Sequence, residues 1–275
     1  MKMKKRFAAL MMALVMMGAL SACGSDTEQN SDSQNNDDST SMTYAVEAGS
    51  AGEAVAKEKG YTYNAVPAQA DTLMEVSAGT SDAAIIDLLM AGAMIGEGTS
   101  YPDLVYTDSL TEEFYGIGCR KGSDLVAFVN DVLADLYADG TMAALAETYG
   151  IPADAVVPQE SSDVSYTPAV DGDIAYIKDK GTLVVGMTEF APMDYCDEDG
   201  NWIGFDADLA KAVAEKLGVD IKFVVIDWDT KIMEINSKNV DILWNGMTLT
   251  DEVTSALDCT NAYCKNAQVI VVPAK

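Results

Sequence analysis

Short apolar runs alternate with helical apolar patterns from residue 43 to residue 272. The apolar runs predict strands at 43–47, 61–66, 82–86, 114–120, 182–187, 221–226, 240–244 and 265–272. Apolar positions at helical spacing predict helices over 53–59, 71–78, 88–95, 124–137, 141–149, 206–217 and 228–237. Strands that alternate with helices are typical of α/β folds, in which a mostly parallel sheet is covered on both faces. We therefore predict an α/β fold.

A segment rich in proline, serine and aspartate divides this pattern. Residues 150–172, GIPADAVVPQESSDVSYTPAVDG, have the composition of a linker. One α/β pattern precedes this segment, and a second begins at Gly181. Each pattern is long enough to form a small domain, and together they are long enough for one large domain.

The N-terminus has the pattern of an export signal. A basic start and a short apolar run, from Phe7 to Leu20, predict a signal peptide over residues 1–22 rather than a membrane span. The sequence Leu-Ser-Ala-Cys that ends at Cys23 resembles a bacterial lipobox, which implies lipidation of that cysteine. Ordinary secretory cleavage with a free thiol is the alternative. Residues 23–42 contain almost no core-forming side chains and predict a disordered tether.

Composition excludes several classes of function. The chain has 275 residues, a formal charge of −27 and no histidine. Such acidity argues against nucleic acid as a partner, because phosphate binding needs clustered lysine and arginine. The absence of histidine excludes Ser-His-Asp and Cys-His catalysis and histidine-ligated metal sites, so we expect neither cofactor nor metal. Cys259 and Cys264 allow a disulfide, and a reduced pair is the alternative.

One polar loop has the features of a ligand-binding loop. Residues 244–253, WNGMTLTDEV, follow an apolar strand and lead into a predicted helix capped by Thr250. The loop offers backbone N–H groups, hydroxyls and a glycine where another group can approach closely. No basic residue lies within this stretch to bind an anion.

Longer stretches resemble a known family. The stretch from GTLVVGMTEFAPMDYCDEDGNWIGFDADLAKAVAEKLG to DWDTKIMEINSKNVDILWNGMTLT resembles the first lobe of a polar amino-acid-binding protein of a bacterial ABC importer. The stretches VEAGSAGEA, SAGTSDAAIID and FYGIGCRKGSDL resemble the second lobe and the crossover that returns from it. The resemblance implies a two-lobe, periplasmic-binding-protein-like (type II) fold with a ligand cleft between the lobes.

The order of these segments is reversed relative to that family. There, the segment similar to 172–272 comes first and the segment similar to 43–150 follows. We interpret the chain as a circular permutant cut at an interlobe crossover, with Lys275 and Thr43 close together near the hinge. Residues 43–113 are then lobe 2 and residues 114–275 are lobe 1, joined only by the strand at 116–119. A truncated or rearranged gene is the alternative.

The resemblance implies a set of ligand contacts at the cleft. Phe190 and Trp228 would be apolar walls, and Asp87 would bind an ammonium group. The loops would contribute hydroxyls, carbonyls and N–H groups from Asn245, Gly246, Thr248, Ser50 and Ala51. Alternatives remain at three positions: Trp228 and Trp244 are also candidates for the core, and Asp87 is a candidate cap for the helix that follows it.

One clamp residue of the family is missing. The family's loop motif continues to an arginine that binds the ligand's α-carboxylate, and this chain has Val253 at that place. We expect position 253 to face the cleft, with the N-termini at Ala51 and Thr248 as partial replacements for the arginine. Arg120, the sole arginine after the signal peptide, matches a crossover position instead. The pocket should therefore prefer cationic ligands or bind ordinary α-amino acids weakly.

The expected function is solute capture without catalysis. The resemblance implies a monomeric lipoprotein, anchored outside the cytoplasm through Cys23, that delivers an amino acid or small amine to an ABC permease. A ligand-sensing module for a membrane receptor is an alternative. A dehydratase-like enzyme is a second alternative, and the cleft argues against it because Asp87 is its only candidate acid.

Overall fold

The computed structural model describes residues 42–160 and 169–275. The predicted signal peptide, Cys23 and the tether up to residue 41 lie outside these ranges, as do residues 161–168 of the predicted linker. Within the described ranges, none of the helices has the length and apolar character that a membrane span requires.

One five-stranded sheet has the order β2–β1–β3–β14–β4. Its strands and helices are β1 (Thr43–Glu47), α1 (Ala51–Lys59), β2 (Thr62–Val66), α2 (Gln69–Ala78), β3 (Ala83–Asp87), α3 (Leu88–Met94), β4 (Leu104–Ser109) and β14 (Gln268–Pro273). The strands β2, β1 and β3 are parallel, whereas β14 runs antiparallel between β3 and β4. All five residues of β3 are buried, as expected for an apolar central strand covered on both faces. This sheet with its helices is lobe 2.

A second five-stranded sheet has the order β10–β7–β11–β6–β12 and forms lobe 1. Its strands are β6 (Gly118–Cys119), β7 (Thr182–Met187), β10 (Asp220–Val225), β11 (Ile242–Leu243) and β12 (Asp258–Cys259). Its helices are α4 (Leu125–Ala138), α5 (Thr141–Thr148), α6 (Asp173–Lys180), α7 (Phe205–Leu217), α8 (Lys231–Asn236) and α9 (Asp251–Ala256). A small hairpin pairs β8 (Tyr195–Cys196) with β9 (Trp202–Ile203). Both lobes are thus α/β layers with one antiparallel strand inserted beside the parallel ones, as predicted for a two-lobe type II fold.

Two short strands connect the lobes. The strand β5 (Glu113–Tyr115) leaves lobe 2 and pairs antiparallel with β13 (Cys264–Asn266), which enters it. Each of these strands comes from a longer run that the sequence predicted as one strand, 114–120 and 265–272. Each run breaks because its halves pair with different sheets.

The predicted lobe boundaries need a correction. Residues 114–275 do not form one lobe, and the strand at 116–119 is not the sole connection, because β14 lies in the sheet of lobe 2. Val269 and Val271 of β14 are fully buried. An apolar strand of this kind is stabilised at a central position between β3 and β4, where both of its faces are covered.

Thr43 and Pro273 lie at the same edge of lobe 2, but not at the hinge. Thr43 exchanges backbone and side-chain hydrogen bonds with Asp82, just before β3. In the antiparallel register of β14 on β3, Gln268 pairs with Asp87. The end of β14 therefore lies beside Asp82, on the side of β3 opposite to β1. Two strand spacings, about 10 Å, therefore separate Thr43 from Pro273. The hinge strands lie at the opposite end of β14.

The described part of the predicted linker is packed. Residues 150–160 follow β13, with a bridge between Val156 and Cys264 and a hydrogen bond from the Val157 N–H to the Tyr263 carbonyl, 3.0 Å. The strand β4 and the helix α6 were not predicted. Cys259 and Cys264 are both unpaired, which fits the reduced alternative.

Candidate functional site

A small cavity lies between the two lobes, at the carboxyl ends of β1 and β3. Its lining residues are Glu47, Ala51, Gln69, Asp87, Phe190, Trp228, Asn245, Gly246 and Thr248. The cavity has a volume of about 20 Å³, room for roughly one water molecule. Any larger molecule therefore requires the lobes to separate before it can enter.

The structure brings together seven of the eight predicted contact residues at this cavity. The exception is Ser50, whose Oγ accepts a hydrogen bond from the N–H of Glu53, 3.1 Å, and so caps α1. This arrangement follows from the topology, because loops at the carboxyl ends of parallel strands meet at one edge of each sheet. Their individual roles toward a ligand remain predictions.

Asp87 stands at the start of α3 but does not cap it. Its side chain makes no hydrogen bond to the helix N–H groups. Instead, Oδ1 accepts hydrogen bonds from Tyr115, 2.7 Å, Gln268, 3.1 Å, and Asn266, while Oδ2 accepts one from Gln69. The alternative that Asp87 is a helix cap is therefore wrong.

This network holds a carboxyl group that is hard to ionise. Burial, and then the negative charge of nearby Glu113, raise the pKa of Asp87 to about 7. The hydrogen bonds from Tyr115 and Gln69 act in the opposite direction and lower the pKa. A cationic group placed beside Asp87 would favour its ionised form.

The loop from Asn245 to Thr248 is fixed by bonds within lobe 1. Asn245 accepts hydrogen bonds from the N–H and hydroxyl of Thr188, 2.9 and 2.8 Å, and donates to Asp194, 2.9 Å. The N–H of Gly246 donates to Asp206, 2.6 Å. The N–H of Gly246 is therefore already hydrogen-bonded and is not free to bind a ligand.

Phe190 packs directly on this loop. Gly246 has φ 55°, and a Cβ atom there would lie 2.5 Å from Cε1 of Phe190. Only glycine allows this conformation and this approach together.

Trp228 is both a wall of the cavity and a core residue, since it lines the cavity and also belongs to an apolar cluster with Met247 and Val253. Trp244 is fully buried and is a core residue.

Glu47 was missed by sequence reasoning. It ends β1 as Asp87 ends β3, and both carboxyl groups line the cavity. Burial, followed by the charge of Asp87, raises the pKa of Glu47 to about 8. Asp87 was identified through the resemblance, but ligands of such folds bind at the carboxyl ends of parallel strands, and Glu47 occupies that place as Asp87 does. The argument that the cleft contains one candidate acid is therefore wrong.

Lys231 is a buried cation beside the cavity that the sequence analysis also missed. Its Nζ donates hydrogen bonds to the carbonyl of Gly49 in lobe 2, 2.7 Å, and to that of Trp228, 3.2 Å. It also lies 5.2 Å from the centre of the Trp228 ring, within cation–π range. Burial lowers the pKa of Lys231, against the opposing effect of nearby carboxylates. The bond to Gly49 joins the two lobes.

The positions related to the missing clamp need corrections. Val253 is buried in the apolar cluster with Trp228 and does not line the cavity, so the expectation that it faces the cleft is wrong. The helix α9 begins at Asp251 rather than at Thr248. Thr250 caps it, as predicted. Arg120 is engaged elsewhere: it pairs with Asp173, 2.8 Å, and donates to two backbone carbonyls.

A larger groove of about 470 Å³ lies beside α3 and α5 and is lined mainly by apolar side chains, among them Leu88, Tyr149 and Pro152. It lacks the buried carboxyl groups that mark the smaller cavity. Within residues 42–160 and 169–275, no group of cysteine or acidic side chains has the arrangement of a metal site.

Comparison with known proteins identifies part of the chain. Residues 183–275 match the bacterial extracellular solute-binding proteins, family 3. The segment that matches family 3 includes five of the nine cavity residues, namely Phe190, Trp228, Asn245, Gly246 and Thr248.

Several curated relatives match over a comparable length. The probable histidine-binding protein of Neisseria gonorrhoeae is 36% identical over 90 residues, 33% of this chain and 34% of the relative. The arginine-binding extracellular protein of Bacillus subtilis is 36% identical over 93 residues, 34% of this chain and 36% of the relative. The chain thus spans about a third of the length of the curated relatives it matches.

Solved structures match to a similar extent. Domain 1 of an arginine-bound protein named TmArgBP is 36% identical, with 36% of this chain and 84% of that chain covered and a TM-score of 0.30. An ancestral cationic amino acid solute-binding protein is 40% identical, with 30% of this chain and 36% of that chain covered and a TM-score of 0.29.

Proposed function

We propose that the protein is a solute-binding protein that captures an amino acid or a related amine in the cavity between its lobes. It would deliver this solute to an ABC permease from outside the cytoplasm, anchored by a lipid on Cys23. Capture would proceed by closure of the lobes around the solute, without covalent chemistry.

The observation that carries this proposal is the placement of Asp87. A buried carboxyl group from lobe 2 faces the loop from Asn245 to Thr248 in lobe 1 across one cavity. A carboxylate in a desolvated site binds an ammonium group through charge-assisted hydrogen bonds, which are stronger than neutral ones. Opening of the lobes about the two connecting strands, β5 and β13, would admit such a group.

The names of the relatives favour binding over catalysis. The histidine-binding and arginine-binding relatives are both named for a bound amino acid. Glu47 supplies the second acid that an enzyme would need, so the preference for binding rests on these names. We therefore favour solute capture, with sensing as the alternative that differs only in the membrane partner.

A thermal-shift screen tests the proposed function. The chain from residue 24 onward would be screened at pH 8 against the twenty amino acids, diamines, polyamines and monoamines. A ligand that binds the folded state raises the melting temperature, by mass action. At least one amino acid or amine should raise the melting temperature by several degrees. No shift with any of these compounds at millimolar concentration would contradict the proposal.

Closure should depend on Gly49. This residue has φ 71°, and a Cβ atom there would lie 2.6 Å from Cα of Asp229 in lobe 1. Gly49→Ala should therefore weaken binding of the ligand found by the screen by tenfold or more, because the closed lobes would clash. Gly60→Ala is the matched control, since Gly60 has φ 68° and no atom near its would-be Cβ.

Calorimetric titration of both variants separates the clash from backbone strain. The left-handed conformation costs each alanine about 1 kcal/mol of stability, so both should unfold at similarly lowered temperatures. Equal affinities for the two variants would show that Gly49 plays no part in closure.

We also propose that the chain is circularly permuted relative to family 3. Support comes from the position of the family 3 segment after lobe 2 in the chain, and from the sheet of lobe 2. There, Thr43 and the end of β14 flank Asp82 on neighbouring strands. The new termini lie within lobe 2 in this arrangement, not at a crossover as the sequence analysis assumed.

Restoring the family's order tests the permutation. A variant would run from 169 to 275, continue through a two-residue glycine–serine linker to residue 42, and end at 160. Two residues span roughly 7 Å, which with the flanking residues covers the gap. The variant should melt cooperatively within a few degrees of the parent chain and keep its ligand preference. A variant that fails to unfold cooperatively would contradict the permutation.

A further inference from the structure

Two carboxyl groups, not one, face the interlobe cavity from lobe 2. Glu47 and Asp87 end neighbouring parallel strands, β1 and β3. They are 4% and 5% exposed, so neither charge is well solvated. Each would destabilise the other if both were ionised, because like charges repel strongly where water is excluded.

The hydrogen bonding of the two groups differs. Asp87 accepts hydrogen bonds from four side chains, as described above. In contrast, Oε1 of Glu47 is buried and has no hydrogen-bond partner, although the Thr188 side chain and the Gln69 backbone interact with this carboxyl group and lower its pKa against the effect of burial. A buried carboxyl oxygen without a donor costs folding free energy, so a donor brought in by a ligand is favoured at this atom.

Within residues 42–160 and 169–275, no lysine or arginine forms an ion pair with Glu47. The charge of Lys231 lowers the pKa of Glu47, but burial and the charge of Asp87 outweigh this effect. The ammonium of Lys231 is directed at the carbonyls of Gly49 and Trp228 instead. Glu113 accepts hydrogen bonds from Asn266 and Gln268, the same side chains that donate to Asp87. The side chains around the cavity therefore include more acidic than basic groups.

We propose that Glu47 binds a second cationic group of the ligand, and that the solute therefore carries two positively charged nitrogen atoms on one flexible chain. Asp87 takes one nitrogen and Glu47 the other. A diamine and an amino acid with a basic side chain share this chemistry. The inference rests on the proposed function, since it assigns the class of solute to the same cavity.

Pairs of compounds that differ in one terminal ammonium group test the proposal. The probes are L-lysine with L-norleucine, and putrescine with n-butylamine, titrated calorimetrically at pH 8. The parent chain should bind the dicationic member of at least one pair tenfold more tightly or better. A preference in the first pair indicates a basic amino acid, and a preference in the second indicates a diamine.

Glu47→Gln should remove at least tenfold of that preference while leaving the affinity for the monocationic or neutral member unchanged or higher. Glu58→Gln is the matched control: Glu58 lies in the same lobe, is exposed on α1 and does not line the cavity. This control should keep the full preference. Melting temperatures of both variants at pH 8 confirm that they fold.

These experiments distinguish failure of the role proposed for Glu47 from failure of the proposed function. Equal binding of both members of each pair by the parent chain, or an unchanged preference in Glu47→Gln, would overturn the role of Glu47 and leave the proposed function standing. If none of the four probes binds and the screen finds no amino acid or amine, both the inference and the proposed function fail.

Discussion

Asp87→Asn should weaken binding of the ligand by about 30-fold or more while the protein remains folded. Removing one partner of a buried, hydrogen-bonded charge pair costs about 2–5 kcal/mol of binding free energy. Asparagine keeps an acceptor oxygen for Tyr115, Asn266 and Gln268, so most of the network around position 87 survives. The melting temperature of the unliganded variant should therefore stay within a few degrees of the parent.

Asp82→Asn is the matched control for this substitution. Asp82 lies just before β3, at the end remote from the cavity, and accepts a hydrogen bond from the N–H of Thr43, 2.8 Å. Its replacement should leave affinity unchanged. If calorimetry shows that Asp87→Asn binds as tightly as the parent, the carboxylate of Asp87 does not hold the solute.

The unliganded protein should lose stability as the pH rises from 5 to 8. Burial raises the pKa values of Glu47, Asp87 and Asp206 to about 8, 7 and 7. In the unfolded chain such groups titrate near pH 4. A raised pKa contributes stability that is complete below the unfolded pKa and is lost as the pH rises through the folded pKa. The decline should therefore flatten above about pH 8.

Carboxyl groups with lowered pKa values act in the other direction but at lower pH. Asp173, whose pKa the adjacent Arg120 guanidinium lowers despite partial burial, gains its stabilising charge below pH 5. From pH 5 upward the buried groups with raised pKa values should thus dominate.

Urea unfolding at pH 5, 6, 7 and 8 measures this effect. Each such group contributes up to about 1.4 kcal/mol of unfolding free energy per pH unit. Glu47→Gln should reduce the fall of the unfolding free energy with pH by about the contribution of one such group. Glu53→Gln should leave this pH dependence unchanged. A free energy of unfolding that is constant or rises between pH 5 and 8 would show that these carboxyl groups are not buried in solution.

Periodicity predicted most strands of the two sheets and most of the helices that cover them, but not β4, β12 or α6. The apolar run at 82–86 corresponds to β3, and the amphipathic pattern at 206–217 corresponds to α7. Long-range pairing was not predictable from local pattern. The run at 265–272 looks like one strand, but β13 pairs with the hinge and β14 with lobe 2, because partners distant in sequence determine which sheet each half joins.

In the candidate site, too, some features were predictable from the sequence and others were not. Asp87 was identified from the family resemblance and the loop at Asn245 from its position after an apolar strand, and the two meet at one cavity. Lys231 carried no such signal, because a lysine near the start of a helix is ordinarily solvated. Its burial results from the approach of Gly49 across the cleft, which is a property of the closed lobes.

Val253 illustrates a limit of carrying over a family motif. The position matches the family's arginine in sequence, yet the side chain packs with Trp228, Met247 and Leu257. A valine gains free energy by burial in such a cluster, whereas an arginine would keep its charge at the cavity or in water. Burial of this valine in the cluster accounts for its absence from the cavity lining.

Hydrogen–deuterium exchange with and without ligand tests the central claim, that the solute binds between the lobes. At saturation with the tightest compound from the screen, amide protection should increase together in residues 47–52 of lobe 2 and residues 244–250 of lobe 1. Protection confined to one of these loops, or confined to the groove around Leu88, Tyr149 and Pro152, would contradict the interlobe site.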